Sequence, residues 1–131
     1  MTDSYKPKVL AIDDEATCLE IIKFSLSTKG YDVFTAESGA EAIEFLQQHG
    51  DINVILLDMM MPKMNGLETL KKIRQISSAS NIPIIFQTGT SQYAEINKAQ
   101  EEDVNNFIIH KPYKRADLIK VIDIALKNNL T

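Results

Sequence analysis

Length, composition and charge limit what this chain can be. Its 131 residues, 44% hydrophobic and 24% charged, predict a single globular domain over residues 1–131. A formal net charge of −4 argues against nucleic-acid binding by this domain, because phosphate contacts require clustered Lys and Arg. No apolar run approaches the roughly 20 residues that cross a bilayer, and residues 1–8 lack a signal-peptide segment. We therefore expect a cytoplasmic protein with no membrane partner.

Strand and helix patterns alternate five times along the chain. Continuous apolar runs predict buried parallel strands at 9–12, 53–57, 84–86 and 107–109. A more polar run at 32–36 predicts a strand nearer an edge. Apolar residues at helical spacing, such as Leu19, Ile22 and Leu26, predict the helices between them. The fourth predicted helix, 92–102, is weakly amphipathic, the fifth covers about 114–127, and residues 77–81 predict a loop.

Capping residues predict the helix boundaries. Asp14 is predicted to cap the first helix, and Ser38 with Glu41 forms a capping box that opens the second. Gly30 suits the left-handed position after the first helix, and Asn65 is predicted to cap the third. Parallel strands joined by helical crossovers predict an α/β fold: a doubly wound sheet with helices on both faces.

The one cysteine, Cys18, excludes a disulfide within the chain and any Cys-rich zinc site. It falls near the start of the first predicted helix. We expect it to pack as a small apolar side chain against the sheet.

Chemically reactive side chains follow four of the predicted strands. Asp13 and Asp14 follow the first strand, Asp58 the third, Thr88 the fourth and Lys111 the fifth. In an open α/β sheet, ligands bind outside the carboxyl ends of the strands. We therefore expect these carboxylates, the hydroxyl and the ammonium to share one pocket, which would suit a hard cation and a phosphoryl group.

Charge balance predicts the cation. Carboxylates a few ångströms apart cannot all stay ionised without compensation, and a divalent cation together with Lys111 would neutralise the three aspartates. Oxygen ligands favour Mg²⁺, for which Mn²⁺ can substitute. We expect no His or Cys ligand nearby, which argues against zinc.

Asp58 is the candidate nucleophile, since a carboxylate can attack phosphorus to give an aspartyl phosphate. It ends the central predicted strand and is followed by a loop, so its carboxylate can point out of the sheet. Lys111 and the cation would stabilise the transferring oxygens, and the Thr88 hydroxyl could donate a hydrogen bond to the product. Phosphorylation would draw the Thr88 segment inward, which constitutes a switch.

At this point the sequence resembles the receiver domain of bacterial two-component response regulators, in the stand-alone form of the chemotaxis regulators. The resemblance covers about residues 6–128. It is carried by Ile-Asp-Asp-Glu at 12–15, Leu-Asp-Met-Met-Met-Pro at 57–62, Asn-Gly at 65–66, Thr-Gly at 88–89 and Lys-Pro-Tyr at 111–113. It implies a flavodoxin-like five-stranded sheet of order 2-1-3-4-5.

The resemblance also assigns the metal ligands and the phosphoryl donor. Asp14, Asp58 and the main-chain carbonyl of Met60 would hold Mg²⁺, with Asp13 contributing directly or through water. Asp58 would accept its phosphoryl group from a phosphohistidine of a sensor histidine kinase or a histidine phosphotransfer protein.

By the same resemblance, Lys111 would pair with the phosphoryl group, Thr88 would be the switch hydroxyl, and the Lys111–Pro112 bond would be cis. The domain would be a signalling switch rather than an enzyme, with at most weak autophosphatase activity. It would control a partner or output domain.

The resemblance places effector docking on helix four, strand five and helix five. Ile124 is predicted to lie on the polar side of helix five, which independently marks a contact surface there. A phosphorylation-dependent homodimer is a further expectation.

The chain departs from the family pattern beside Lys111. The family usually carries Tyr or Phe three residues before the Lys, where this chain has Ile108, and Phe107 lies one residue earlier. A bulge in strand five could re-aim Phe107, and without one the aromatic partner of Thr88 would be missing. His110 is expected to be a solvated residue at the strand end.

Three alternative functions would use a similar fold and similar site residues. A magnesium-dependent phosphatase with an aspartyl nucleophile typically has a second Asp two residues later, where this chain has Met60. A flavin-binding electron carrier needs a hydroxyl- and Gly-rich loop after the first strand, where the Asp13-Asp14-Glu15 run would repel phosphate. A receiver that is never phosphorylated ranks lower, because all the acidic residues and Lys111 are present.

Overall fold

The structure is a computed structural model, and it describes residues 6–59, 66–88, 106–111 and 113–128. A five-stranded parallel sheet organises these residues, in the order β2-β1-β3-β4-β5. Its strands are β1 (Lys8–Ile12), β2 (Asp32–Ala36), β3 (Val54–Asp58), β4 (Ile84–Thr88) and β5 (Asn106–His110). All five predicted strands are confirmed, and so are the order 2-1-3-4-5 and the edge position of the polar strand.

The described residues contain four α-helices. They are α1 (Ala16–Ser27), α2 (Gly39–Gln48), α3 (Gly66–Arg74) and α4 (Arg115–Asn128). The fourth helix predicted from the sequence lies outside the described residues, so α4 corresponds to the fifth predicted helix. None of the described helices combines the length and the apolar character needed to span a membrane.

Alternate residues of each strand face two separate cores, as the doubly wound arrangement predicts. In β1, Leu10 and Ile12 face the core beneath α2 and α3, whereas Val9 and Ala11 face the core beneath α1 and α4. The predicted inward residues of α1 are buried there: Leu19, Ile22 and Leu26. Helices therefore cover both faces of the sheet, which leaves the ends of the strands open for a site.

The Ser38 cap of α2 is confirmed, although Glu41 bonds back to Glu37 rather than to Ser38, and the predicted cap of α1 is absent. The Glu41 N–H donates to Ser38 Oγ at 3.1 Å, and Glu41 Oε1 accepts from the Glu37 N–H at 3.3 Å. The prediction that Asp14 caps α1 is wrong, because Glu15 occupies the N-cap position and its side chain makes no cap bond. Instead, Asp13 Oδ1 accepts the Glu15 N–H at 3.0 Å, which turns the chain one residue later.

Two connections refine the sequence prediction further. Gly30 has a φ of 93°, the left-handed conformation predicted after α1. Residues Ser77–Ala79 form a short 3₁₀ helix where a loop was predicted, and Ala79, its last residue, is buried. The predicted cap Asn65 lies outside the described residues.

Candidate functional site

Three carboxylates meet at the carboxyl ends of β1 and β3. Asp13 and Asp14 follow β1 directly, Asp58 is the last residue of β3, and these strands are paired in the centre of the sheet. One carboxylate oxygen from each of Asp13, Asp14 and Asp58 lies within 4.8 Å of the others. Asp13 is fully buried, Asp58 is 6% exposed and Asp14 is open to solvent. The cluster thus runs from the interior of the sheet edge to the surface.

Lys111 places an ammonium group beside the two buried members of this cluster. Its Nζ lies 3.6 Å from Asp13 Oδ2 and 3.6 Å from Asp58 Oδ1. Burial of the Lys111 ammonium acts to lower its pKa, but the carboxylates of Asp58 and Asp13 outweigh this, so the pKa stands above its usual value. Lys111 is therefore a fixed positive charge at any physiological pH.

The chemistry of this donor set fits a divalent cation. Three carboxylates and one ammonium leave a formal charge of −2. Asp13 Oδ2 is buried and accepts no hydrogen bond from the described residues, and the Lys111 ammonium lies 3.6 Å from it. An all-oxygen donor set with this charge suits Mg²⁺.

Thr88 and Gln87 belong to the neighbouring strand β4. Gln87 stands opposite Asp58 in the pairing of β3 with β4, and its carbonyl accepts the Met59 N–H at 3.2 Å. Thr88 is the last residue of β4, is 2% exposed, and its carbonyl accepts the Lys111 N–H at 2.8 Å. The backbone thus ties the ends of β3, β4 and β5 together around the acidic cluster.

A partly buried polar pair that the sequence analysis missed lies beside the cluster. The Tyr113 hydroxyl donates to Gln87 Oε1. Burial raises the pKa of Tyr113 to about 12, with smaller contributions from Asp13, Cys18 and Asp58. Tyr113 is therefore a permanent hydrogen-bond donor at neutral pH. The signal in the sequence was Gln87 itself, an amide inside the otherwise apolar run of β4.

Cys18 lies at the site rather than against the sheet. It is half-buried, and its Sγ is 3.9 Å from Glu15 Oε1. Its thiol also belongs to a second group of ligand atoms within 4.8 Å of one another, with Asp13 and Glu15. The expectation of an apolar packing role, and of no cysteine near the site, was wrong, because the thiol lies with the carboxylates of Asp13 and Glu15. Burial, then the charges of Asp13 and Glu15, raise the pKa of this thiol.

The strand that precedes Lys111 shows no bulge over the described residues. All five residues of β5 pair in continuous register with β4, with Phe86 opposite Ile108 and Thr88 opposite His110. Phe107 packs on the core under α1 and α4, and Ile108 packs on the opposite core. Phe107 therefore does not take the place of the aromatic residue usual at position 108. His110 is exposed, as predicted.

Several residues predicted at the site lie outside the described part of the chain. They are the predicted carbonyl ligand Met60 and Pro112, whose bond to Lys111 was predicted to be cis. Of the other predicted residues, the structure brings together Asp13, Asp14, Asp58 and Lys111, and it places Thr88 at the end of the adjoining strand.

Known proteins are similar to this chain in sequence and in fold. The response regulator receiver domain family matches residues 9–123. Chemotaxis protein CheY1 of Helicobacter pylori is 42% identical over 123 residues, which cover 93% of this chain and 98% of that protein. A response regulator receiver domain protein from Clostridium thermocellum superposes with a TM-score of 0.87 at 32% identity, over 95% of this chain and 97% of that one. Vibrio cholerae chemotaxis protein CheY4 gives 0.85 at 30% identity, over 93% and 100%.

The chain belongs to the response regulator receiver domain family. Receiver domains of this CheY-like kind are phosphoacceptors in two-component signal transduction, and they are generally signalling switches rather than enzymes. They bind Mg²⁺ at an acidic pocket and interact with histidine kinases or phosphotransfer proteins and with effectors.

Proposed function

We propose that this domain accepts a phosphoryl group on Asp58 from the phosphohistidine of a sensor kinase or phosphotransfer protein, and that the modification switches a partner or output domain. The observation that carries the proposal is the position of the Asp58 carboxylate. It is almost buried, stands among the Asp13 and Asp14 carboxylates, and has the Lys111 ammonium 3.6 Å away. A nucleophile and a cationic stabiliser are thus held in one pocket.

In the proposed transfer, an oxygen of the Asp58 carboxylate attacks the phosphorus of the phosphohistidine. The new O–P bond forms as the N–P bond breaks, and the imidazole leaves with the electron pair and takes a proton from solvent. The side chain changes from a charge of −1 to about −2 and gains three acceptor oxygens. Slow hydrolysis by water would reverse the change.

Lys111 and Thr88 would act on the transferred group. Lys111, already 3.6 Å from Asp58 Oδ1, would pair with the phosphoryl oxygens. Thr88 would supply the switch hydroxyl, since it ends the strand adjoining β3. With no aromatic residue at position 108, the response of Thr88 would not be coupled to an aromatic rotamer there.

Magnesium fits the pocket by charge and by donor type. The carboxylates of Asp13, Asp14 and Asp58, with the main-chain carbonyl of Met60, would hold the ion, and Mn²⁺ could replace it. When bound, the ion supplies positive charge that neutralises the oxygens of the transferring phosphoryl group.

Phosphorylation by acetyl phosphate, read by intact mass, tests the proposal. We expect the wild-type protein to gain the mass of one phosphoryl group in a magnesium-dependent manner, and Asp58→Asn to gain none. Asp51→Asn is a matched control, because Asp51 is exposed, pairs with Lys8, and precedes rather than follows β3. It should be phosphorylated like the wild type. An equal adduct on Asp58→Asn would place the acceptor elsewhere.

A further inference from the structure

Two hydrogen bonds tie the chain around Lys111 to the end of β4. The Lys111 N–H donates to the Thr88 carbonyl at 2.8 Å, and the Tyr113 hydroxyl donates to Gln87 Oε1. The first bond is made by Lys111 itself, and the second is made two residues further along the chain. Both acceptors are neighbouring residues of one strand. The segment that carries Lys111 is therefore anchored to β4 at two points.

The anchoring residue Gln87 is itself held firmly beside Asp58. The two residues are partners in the register of β3 and β4, and the Gln87 carbonyl accepts the Met59 N–H at 3.2 Å. Gln87 is 1% exposed, so its side chain cannot move without displacing the residues packed around it. The hydrogen bond from Tyr113 thus ends on a rigid part of the sheet edge.

The Lys111 ammonium needs such anchoring to keep its position. Its Nζ lies 3.6 Å from both Asp13 Oδ2 and Asp58 Oδ1, and its side chain is 36% exposed. Lysine carries its charge on a flexible four-carbon stem, so two ion pairs do not by themselves fix the Nζ atom. The position of the ammonium therefore also depends on how firmly the main chain around Lys111 is held.

We propose that Tyr113 is a positioning residue, whose hydrogen bond to Gln87 holds Lys111 where its ammonium can stabilise the phosphoryl group transferred to Asp58. This role rests on the proposed phosphorylation of Asp58. Tyr113 does not touch the transferring group, since its hydroxyl is engaged with Gln87. Loss of this bond would remove one of the two anchors and let the ammonium occupy a wider range of positions. A displacement of about 1 Å in a catalytic group can slow a reaction roughly a hundredfold.

Tyr113→Phe tests the proposal, because it removes the hydroxyl and keeps the ring. We expect the initial rate of phosphorylation by acetyl phosphate at saturating Mg²⁺, read by intact mass, to fall roughly tenfold, since one anchor remains. Tyr31→Phe is the matched control. Tyr31 is also half-buried on the core under α1 and α4, but it precedes β2 and so lies at the opposite end of the sheet. It should react as the wild type does.

A double variant separates positioning from a loss of stability. Tyr113→Phe alone leaves the Gln87 amide without this bond, whereas Gln87→Leu with Tyr113→Phe replaces both partners by apolar groups, which is nearly neutral for stability. We expect urea unfolding to show the double variant at least as stable as Tyr113→Phe, while its phosphorylation stays roughly tenfold slower than that of the wild type. A double variant that regains the wild-type rate would show that the bond serves folding and not Lys111.

Magnesium affinity tests the position of Lys111 without any phosphoryl transfer. The Lys111 ammonium would repel a cation held by Asp13 and Asp58, so releasing it should tighten Mg²⁺ binding. We expect calorimetric titration to show about threefold tighter binding for Tyr113→Phe, a larger gain for Lys111→Ala, and no further gain when the two are combined. Tyr31→Phe should bind Mg²⁺ as the wild type does.

The two measurements distinguish this proposal from that of the phosphoryl acceptor. Unchanged Mg²⁺ affinity or an unchanged rate in Tyr113→Phe would overturn the positioning role and leave Asp58 as the acceptor. Additive effects of Tyr113→Phe and Lys111→Ala would also overturn it, because Tyr113 would then act without Lys111. A wild-type protein that gains no phosphoryl group, with the expected non-additive Mg²⁺ affinities, would overturn the proposed function but support the positioning of Lys111 by Tyr113.

Discussion

Gln87 shows how a single polar residue in a buried strand can point to a site. Every other residue of β4 before Thr88 is apolar, and an amide there must find partners or carry a free-energy cost. The structure supplies the Tyr113 hydroxyl to one end of the amide, across 26 residues of sequence. A pairing over that distance follows from the fold and not from any local pattern, which is why the sequence analysis missed it.

The Tyr113 phenol carries a testable pH dependence. Its folded-state pKa of about 12 lies above the ordinary value of 10.0, so folding favours the protonated phenol. This contribution to stability is fully present below pH 10 and is lost as the pH rises towards 12. The difference in 295 nm absorbance between the wild type and Tyr113→Phe should show one phenol that ionises near pH 12. A difference titration centred at the ordinary value would contradict the burial of this side chain.

At the scale of elements, the close approach of α3 to the end of β3 depends on Gly66. A Cβ at Gly66 would lie 2.7 Å from Met59 Cα and 2.8 Å from the carbonyl oxygen of Asp58. Both are backbone atoms and cannot rotate away. The Gly66 N–H also donates to the Met59 carbonyl at 3.2 Å, so the start of the helix is tied to the residue after Asp58.

Gly66→Ala should therefore destabilise the domain by about 1–3 kcal/mol, the usual cost of overpacking. The free energy of unfolding from urea denaturation measures this effect. Gly50→Ala is the comparison, because the added Cβ would lie 3.0 Å from Ser78 Cβ, a longer approach than at Gly66 and one between two exposed residues. Equal unfolding free energies for the two variants would show that the contact with β3 does not limit this position.

Helix α4 carries an exposed apolar residue that belongs to the proposed effector surface. Ile124 is 45% exposed, on the turn between Lys120 and Lys127. We expect Ile124→Asp to weaken phosphorylation-dependent self-association, measured by sedimentation after acetyl phosphate treatment, without changing stability. Ile21→Asp is the matched control, since Ile21 is 61% exposed on α1. If both variants associate as the wild type does, this face of α4 is not the contact surface.

The molecule as a whole holds an unbalanced charge at one edge of its sheet. Three carboxylates share one nearby ammonium, so the fold tolerates repulsion that a divalent cation would relieve. We predict that Mg²⁺ raises the unfolding free energy of the wild type, by about 1.4 kcal/mol at ten times its dissociation constant.

Asp13→Asn provides the comparison for this prediction. It removes one buried carboxylate charge while keeping an oxygen to accept the Glu15 N–H. The variant should be more stable than the wild type without magnesium and should gain less from its addition. Urea denaturation with and without Mg²⁺ measures both quantities. An equal gain in the two proteins would exclude Asp13 from the cation site.

The sequence predicted the sheet and most of the site because both depend on local signals. Apolar runs that end in Asp13, Asp58 and Thr88 mark strands and their carboxyl ends, and parallel strands bring such ends to one edge. The strand order came from family resemblance rather than from periodicity. The cap of α1 could not be predicted, since it depends on where Asp13 directs its side-chain oxygens. The position of Cys18 beside Asp13 and Glu15 is a tertiary contact that no local pattern signals.

Gln87 connects the end of β3 to the start of the C-terminal helix through its main chain and its side chain. Its main chain is bonded to the residue after Asp58, its side chain is bonded to Tyr113 just ahead of α4, and its neighbour is Thr88. A displacement of the β4 terminus would consequently pull on the first turn of the C-terminal helix through a hydrogen bond. This mechanical linkage runs on the α1–α4 side of the sheet, opposite to Ile108. If Asp58 is phosphorylated, this hydrogen bond would offer a route to the C-terminal helix that does not use an aromatic residue at position 108.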